Sequence, residues 1–436
     1  MSEVCVEASN LEVKQYLGRN YLLHSLEGGF IIGGMTFVSA ETVLPRLVEF
    51  LNGPAWLISL MPVMLALGFC LPPVFTAHKV ENLNRMKPFI MATSIFQRVP
   101  FLLAGIVLLL LVEKSSSLAL LAIVVAPFVA GLAGGLGMTA WQELIIKTIP
   151  ENRRASLFAI RMILSAGFGI AAGGIISQIL NQYPGIKGYG ILYVIAFGFM
   201  MLSYVAFALV RETQYSPRPV KHAVSLKQNL REMPGLVRNN RRFQIYLWTL
   251  AAMNGLYVML PFLTIHALRV LQKPDSFMGI LVTTQMVGGI AGNILTGYLG
   301  DRFGGKTSMI FSRVVFIITC FWAALSPDYL SFIIIFFLYG AALFSNAVGT
   351  ATFNLEICPP ARRVTYLAIV ALSGAFSLLI LSLTGGFLWT WTASFPLLAG
   401  ISIFFMLLST VLLLKIPEPR RERTSARVAS VATTGN

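Results

Sequence analysis

Charge is what this sequence is shortest of: Asp, Glu, Lys and Arg make up 12% of 436 residues, where a soluble protein carries about a quarter. So few ionic groups cannot cover a chain of this length in water, which excludes an ordinary soluble enzyme. Cysteine and histidine number only 4 each. Cys5, Cys70, Cys320 and Cys358 show no paired spacing, which excludes a disulfide framework and a zinc site, and reduced thiols are expected. No H-E-x-x-H, G-x-S-x-G or clustered carboxylate pair occurs, so no enzymatic activity, metal or cofactor is expected. The first eighteen residues hold Glu3, Glu7 and Glu12 without a short apolar core; the first membrane helix, not a cleaved signal peptide, is expected to direct insertion.

What the chain has instead is apolar length. It is 56% hydrophobic, with a mean hydropathy of +0.76. Runs without Asp, Glu, Lys or Arg cover 50–77, 115–142, 188–210, 243–268, 329–355 and 364–414. One crossing takes about 20 residues, so the last run holds two. Bounding the runs by charges and turn residues predicts an all-α membrane protein of twelve transmembrane helices. They fall at 20–44, 55–77, 88–112, 117–142, 155–180 and 189–210, then 243–267, 277–299, 307–326, 329–354, 364–388 and 395–415.

The halves repeat. Residues 150–160 (PENRRASLFAI) align without gaps on 359–369 (PPARRVTYLAI), and 96–101 (FQRVPF) echo 311–316 (FSRVVF). The echo predicts two pseudo-symmetric six-helix bundles, 1–210 and 243–415, joined by a linker at 211–242 and followed by a basic tail at 416–436. In the linker Leu226, Leu230, Met233 and Val237 form one helical stripe, with Lys227, Arg231 and Arg238 beside it to meet anionic headgroups. The net charge of +15 is spread over alternate loops, which argues against a nucleic-acid face. It places both termini in the cytoplasm, across a plasma or inner cell membrane.

Between two apolar runs, Gly297-Tyr298-Leu299-Gly300-Asp301-Arg302-Phe303-Gly304-Gly305-Lys306 predicts a hairpin loop in water at the membrane surface. With Thr307 it also satisfies the P-loop spacing G-x-x-x-x-G-K-T, but the apolar run ahead, 277–299, is too long for the strand a P-loop needs. The stretch resembles the signature loop of the major facilitator superfamily, Gly-x-Leu-Ala-Asp-Arg-x-Gly-Arg-Lys, with Gly300 and Gly305 at the usual Ala and Arg positions. The resemblance implies a secondary transporter that moves a small organic solute by alternating access, coupled to protons and functional as a monomer. A membrane sensor on the same fold is the alternative. The resemblance further implies that Asp301 meets the start of the fifth helix near Ala155 and Ser156 while Arg302 faces Glu356 and Arg362. Gly297, Asp301, Arg302, Lys306, Glu356 and Arg362 would then form a cytoplasmic gate. The first-half copy of the signature, 78–87, keeps only its positive charges. In the fifth helix Gly169-Ile170-Ala171-Ala172-Gly173-Gly174 is similar to the Gly-Pro-x-x-Gly-Gly signature of drug:proton antiporters in that superfamily, with Ile170 at the Pro position. Small residues so spaced also let two helices pack closely.

Glu27 is the sharpest chemical candidate. It lies about 12 Å up the first helix from Arg19, and His24 shares its face. Desolvation favours the neutral carboxyl, so such a group can take up and release a proton as a cavity opens to either side. Arg98, about 16 Å beyond Lys87, and Arg161, about 10 Å beyond Arg154, lie too deep to snorkel. Either can pair with Glu27 or bind an anionic solute, and Arg161 can instead be neutralised by Glu143. Arg313 reads as structural, near the interface. Asn254, Tyr257, Gln285 and Asn346, with Asn293 and Asn354, sit in lipid-length runs and need partners, as lining of a solute cavity or as ties between helices. Pro261 is expected to bend the seventh helix.

Overall fold

A computed structural model describes residues 3–70, 72, 83, 85–112, 115–212, 233–325, 328–359 and 362–418. Twelve long helices order these residues: α1 Glu3–Thr36, α2 Ala55–Cys70, α3 Lys87–Leu110, α4 Ser116–Thr148, α5 Glu151–Gln182 and α6 Ile186–Ala208, then α7 Arg241–Leu271, α8 Met278–Phe303, α9 Gly305–Leu325, α10 Tyr329–Ile357, α11 Arg363–Thr392 and α12 Phe395–Leu414. Ten of them are long and apolar enough to cross a bilayer. The start signals are local. Ser115, Asn240 and Asp328 accept from the backbone amides of Leu118, Phe243 and Ser331, at 3.2, 3.0 and 2.9 Å, and so satisfy otherwise orphaned donors. Leu110, Ile163, Ile294 and Trp391 stand two-thirds or more exposed, an outer surface suited to lipid and not to water.

Three boundaries depart from expectation. The first helix begins at Glu3 and stops at Thr36, and a short helix, Val43–Phe50, carries Arg46 and Glu49. The seventh helix is interrupted by a 3₁₀ turn at Asn254–Val258. Pro261 sits in the first turn of the resumed piece, Leu260–Leu271, where its missing N–H costs nothing, so the interruption precedes the proline. The expected hairpin loop is almost absent: α8 stays helical to Phe303, and only Gly304 separates it from α9. Gly304 has φ 93°, a left-handed conformation that glycine adopts without a Cβ penalty. Most of the first-half copy of the signature, residues 213–232 of the linker and the tail beyond 418 lie outside the described residues; within the linker, 233–238 is helical.

The chain divides into two compact units, Met1–Gln228 with Pro261–Thr283, and Asn229–Leu260 with Thr284–Asn436. In the first, α1 packs on α5 and α6, and α3 on α4 and α6. In the second, α7 packs on α11 and α12, and α9 on α10 and α12. The helix neighbours therefore repeat in the order of the sequence echo.

Candidate functional site

The glycines of α1 set the site. Gly28, Gly29 and Gly33 face α5: a Cβ at Gly29 would stand 2.9 Å from Leu164 Cβ, and one at Gly33 would stand 2.6 Å from Phe168 Cβ. This approach lets short side-chain reaches meet. Arg161 Nη1 on α5 donates to Glu27 Oε2 at 2.5 Å and to the His24 carbonyl at 2.6 Å. Its guanidinium carbon also stands 4.9 Å from the ring centre of Trp141 on α4, a favourable cation–π distance. Glu27 and Arg161 are 8% and 6% exposed, so neither charge has water as an adequate partner. In such a setting, removing one partner typically costs about 3–5 kcal/mol.

His24 completes the cluster. Its Nε2 lies 3.1 Å from Thr148 Oγ1, whose single proton goes to the Leu144 carbonyl at 2.7 Å. Thr148 must therefore accept, and Nε2 carries the imidazole proton. Nδ1 is left as a buried acceptor with no hydrogen-bond partner among the described residues. A carboxylate, an arginine and an imidazole lone pair, drawn from adjacent turns of two helices, make a constellation able to hold or release one proton.

Gly28 is required directly beneath this pair, because a Cβ there would overlap the Arg161 guanidinium carbon and stand 2.7 Å from Nη2. The obstructing atoms are the far end of a flexible side chain, so Gly28→Ala is expected to fold while displacing the guanidinium from Glu27. Solute movement in reconstituted vesicles should fall about tenfold, and thermal stability should drop, by up to the ~3–5 kcal/mol that a buried charge parted from its partner typically costs.

The other deep arginines do different work. Arg98 Nε donates to the Met200 carbonyl at 2.7 Å, Nη1 to the Ser94 carbonyl at 2.8 Å and Nη2 to Ser203 Oγ at 3.1 Å. Arg313, fully buried, donates from Nη1 to the Met309 carbonyl at 2.8 Å and from Nε to Ser409 Oγ at 2.8 Å. Each arginine thus bonds the carbonyl four residues earlier on its own helix and a serine on the last helix of its half. Lysines repeat the tie at the helix ends. Lys87 Nζ donates to the carbonyls of Ala208 and Val210 at 2.6 and 2.8 Å, and Lys306 Nζ to those of Leu414 and Ile416 at 3.3 and 2.5 Å, where a cation meets the negative end of a helix.

The remaining candidates are dispersed. Asn254 Nδ2 donates to the Gly374 carbonyl at 2.9 Å and Ser377 Oγ at 2.8 Å, joining α7 to α11. Asn354 Oδ1 accepts from the Tyr246 hydroxyl at 2.7 Å. Gln285 is 2% exposed, and Asn346 accepts from Thr350 Oγ1 on its own helix at 3.4 Å. Tyr257 lies in the 3₁₀ turn. Of the gate candidates, Gly297 lies on α8, Glu356 in the last turn of α10 and Arg362 at the N-cap of α11. Arg302 Nη1 donates to the Tyr298 hydroxyl at 2.8 Å. The Asp301 side chain lies outside the described residues. Gly173 packs tightly, since a Cβ there would stand 2.6 Å from the Gly279 carbonyl oxygen, whereas Gly174 has open space around it. Sequence reasoning passed over Trp141, Thr148 and Gly28. The available signal was the small-xxx-small pair Gly29 and Gly33, which marks a helix neighbour at close range.

The Major Facilitator Superfamily family model matches residues 96–274 and 245–434. The arabinose-proton symporter of Bacillus subtilis (strain 168) is 31% identical over 85 residues, 20% of this chain and 18% of that protein. The glucose facilitated diffusion protein of Zymomonas mobilis is 30% identical over 124 residues, 27% of this chain and 25% of that protein. These matches therefore span about a quarter or less of the relatives' length. Among solved structures, a D-xylose-proton symporter superposes with a TM-score of 0.69 at 17% identity, covering 93% of this chain and 99% of the other. The nucleoside transporter NupG gives 0.64 at 14%, covering 91% and 98%.

Proposed function

Because the chain belongs to the major facilitator superfamily, and is thus a multi-pass membrane secondary transporter, we propose that it moves a neutral polar solute of the monosaccharide class by alternating access, coupled to protons through Glu27. The observation that carries the coupling is the buried Glu27–Arg161 pair beside the bare Nδ1 of His24. Protonating Glu27 removes the charge that Arg161 answers, so one proton changes how α1 holds α5. Arg161 keeps the His24 carbonyl and the Trp141 ring in either state.

The solute class has two supports. Both arginines that pointed to an anion are engaged within the protein, Arg98 by carbonyls and a serine and Arg161 by Glu27. The matched relatives are, by name, transporters of arabinose and glucose. The proposal includes the cytoplasmic gate of Gly297, Asp301, Arg302, Lys306, Glu356 and Arg362, and a cell-membrane location with cytoplasmic termini.

The test is transport by purified protein in proteoliposomes, offered labelled pentoses, hexoses, nucleosides and a carboxylate-bearing solute, with and without a pH gradient. Saturable movement of a neutral sugar, accelerated by the gradient, is the expected result. Movement of the anion alone would sink the solute assignment, and indifference to the gradient would sink the coupling.

A further inference from the structure

We propose that Phe30, Phe168 and Phe199 seal one side of the Glu27–Arg161 pair against water, and so keep protons from running through the first unit past Glu27 without a transport cycle. Such a seal matters only if Glu27 carries the coupling proton, as proposed above. Its basis is a run of α1, Glu27-Gly28-Gly29-Phe30-Ile31-Ile32-Gly33-Gly34, in which each glycine makes room for a named neighbour. Gly28 admits the Arg161 guanidinium. Gly29 and Gly33 together seat the Phe168 side chain, since an added Cβ would stand 3.0 Å from its Cε2 at Gly29 and 2.6 Å from its Cβ at Gly33. Gly34 opens toward α6, where an added Cβ would stand 3.2 Å from Phe199 Cβ and 3.0 Å from the Ala196 carbonyl oxygen. The rings admitted in this way meet Phe30. Phe30 stacks on Phe168 with centres 4.7 Å apart and planes 15° from parallel, and Phe199 stands edge-on to both at 6.1 Å. All three pairs fall in the range of favourable ring contact. Phe37, fully buried, continues the row 5.2 Å from Phe199.

The rings close a triangle drawn from α1, α5 and α6, all within the first unit. Phe30 lies three residues beyond Glu27, about 4.5 Å along α1, and Phe168 seven beyond Arg161, about 10 Å along α5. The step along α1 leads away from His24. Ser165 stands between the pair and the rings, and its single proton goes back to the Arg161 carbonyl at 2.6 Å or the Gly28 carbonyl at 3.3 Å. The His24 side is polar instead. Beyond Thr148, the Tyr21 hydroxyl donates to Ser156 Oγ at 3.0 Å, and Asn20 exchanges bonds with the Arg211 backbone at 3.0 and 2.9 Å. A carboxyl with polar groups on one side and rings on the other can be wetted from one direction and not from both. Water in a ring-lined constriction has nothing to bond, so the constriction stays dry. The three rings are partly exposed, a cover at the rim of the helix contact and not filler at its centre.

The measurement is the decay of an imposed pH gradient across liposomes holding the full-length protein, read by an internal pH dye with the membrane potential clamped and no solute present. Phe168→Ser should speed the decay about tenfold, because the lost ring leaves room for water that the new hydroxyl, Ser165 and the Gly28 carbonyl can bond. Phe168→Leu, which fills much of the space with apolar atoms, should stay as tight as the parent. Adding Glu27→Gln to Phe168→Ser should abolish the leak, since the leak needs a group that titrates. If Phe168→Ser fails to fold, Phe30→Ser and Phe199→Ser open the same triangle and carry the measurement. Unchanged decay in the folded serine variants, or a leak that persists with Glu27→Gln, would reduce the rings to packing. The two readings fail separately. Glu27→Gln alone that still concentrates solute sinks the coupling, whereas tight serine variants beside a Glu27→Gln that uncouples sink only the seal.

Discussion

Replacing Glu27 by glutamine is expected to abolish proton-driven accumulation while leaving solute exchange in place. Glutamine matches the neutral carboxyl in shape and cannot change its charge, so the site is held permanently in one protonation state. With one proton per solute, a gradient of one pH unit supports about tenfold accumulation; the variant should show none, with solute equal on both sides. The substitution should also fold, which makes the result readable. Arg161 retains the His24 carbonyl at 2.6 Å and the Trp141 ring at 4.9 Å, and the glutamine carbonyl still accepts from its guanidinium. Arg161→Leu is a harsher change, because it leaves a carboxylate buried without a cation and should lower stability by about 3–5 kcal/mol. A Glu27→Gln variant that still concentrates solute against its gradient would remove Glu27 from the coupling role.

The burial of Glu27, 8% exposed, was legible in its place within an apolar stretch of helix. Its partner was not. Arg98 and Arg161 were both candidates, Glu143 was a rival partner for Arg161, and the choice depends on how α3 and α5 are rotated toward α1. Helices that are apolar on both their packed and lipid faces carry little moment from which to read that rotation. Helix ends were misjudged for a related reason. A charge marks where the bilayer ends, yet a helix continues through water when its residues permit, so α1 reaches back to Glu3 and α8 runs through the signature stretch to Phe303. The repeat was more informative than its length suggested: FQRVPF and FSRVVF place Arg98 and Arg313 in the same bond to the fourth preceding carbonyl.

The largest effect on folding is expected in the second unit, at Gly340 and Gly288, where two backbones touch. A Cβ at Gly340 on α10 would overlap the Gln285 carbonyl oxygen and stand 2.7 Å from its carbon; one at Gly288 on α8 would overlap the Phe337 oxygen in the same way. One turn on, a Cβ at Gly292 would stand 2.6 Å from Ala341 Cα. The clashes are reciprocal and fall on main-chain atoms, which cannot rotate aside as Arg161 can at Gly28. Within a bilayer, helices gain little from burying apolar surface against each other and rely on this close approach of small residues. Overpacking by one methyl ordinarily costs about 1–3 kcal/mol, and here two helices must separate along their length to admit it. Gly340→Val and Gly288→Val should therefore yield little monodisperse protein after mild heating, as read by fluorescence-detected size exclusion. Gly297→Ala and Gly374→Ala, which have nothing within 4 Å of the added atom, should behave as the parent does. If the valine variants matched these controls, the α8–α10 contact would not be what holds the second unit together.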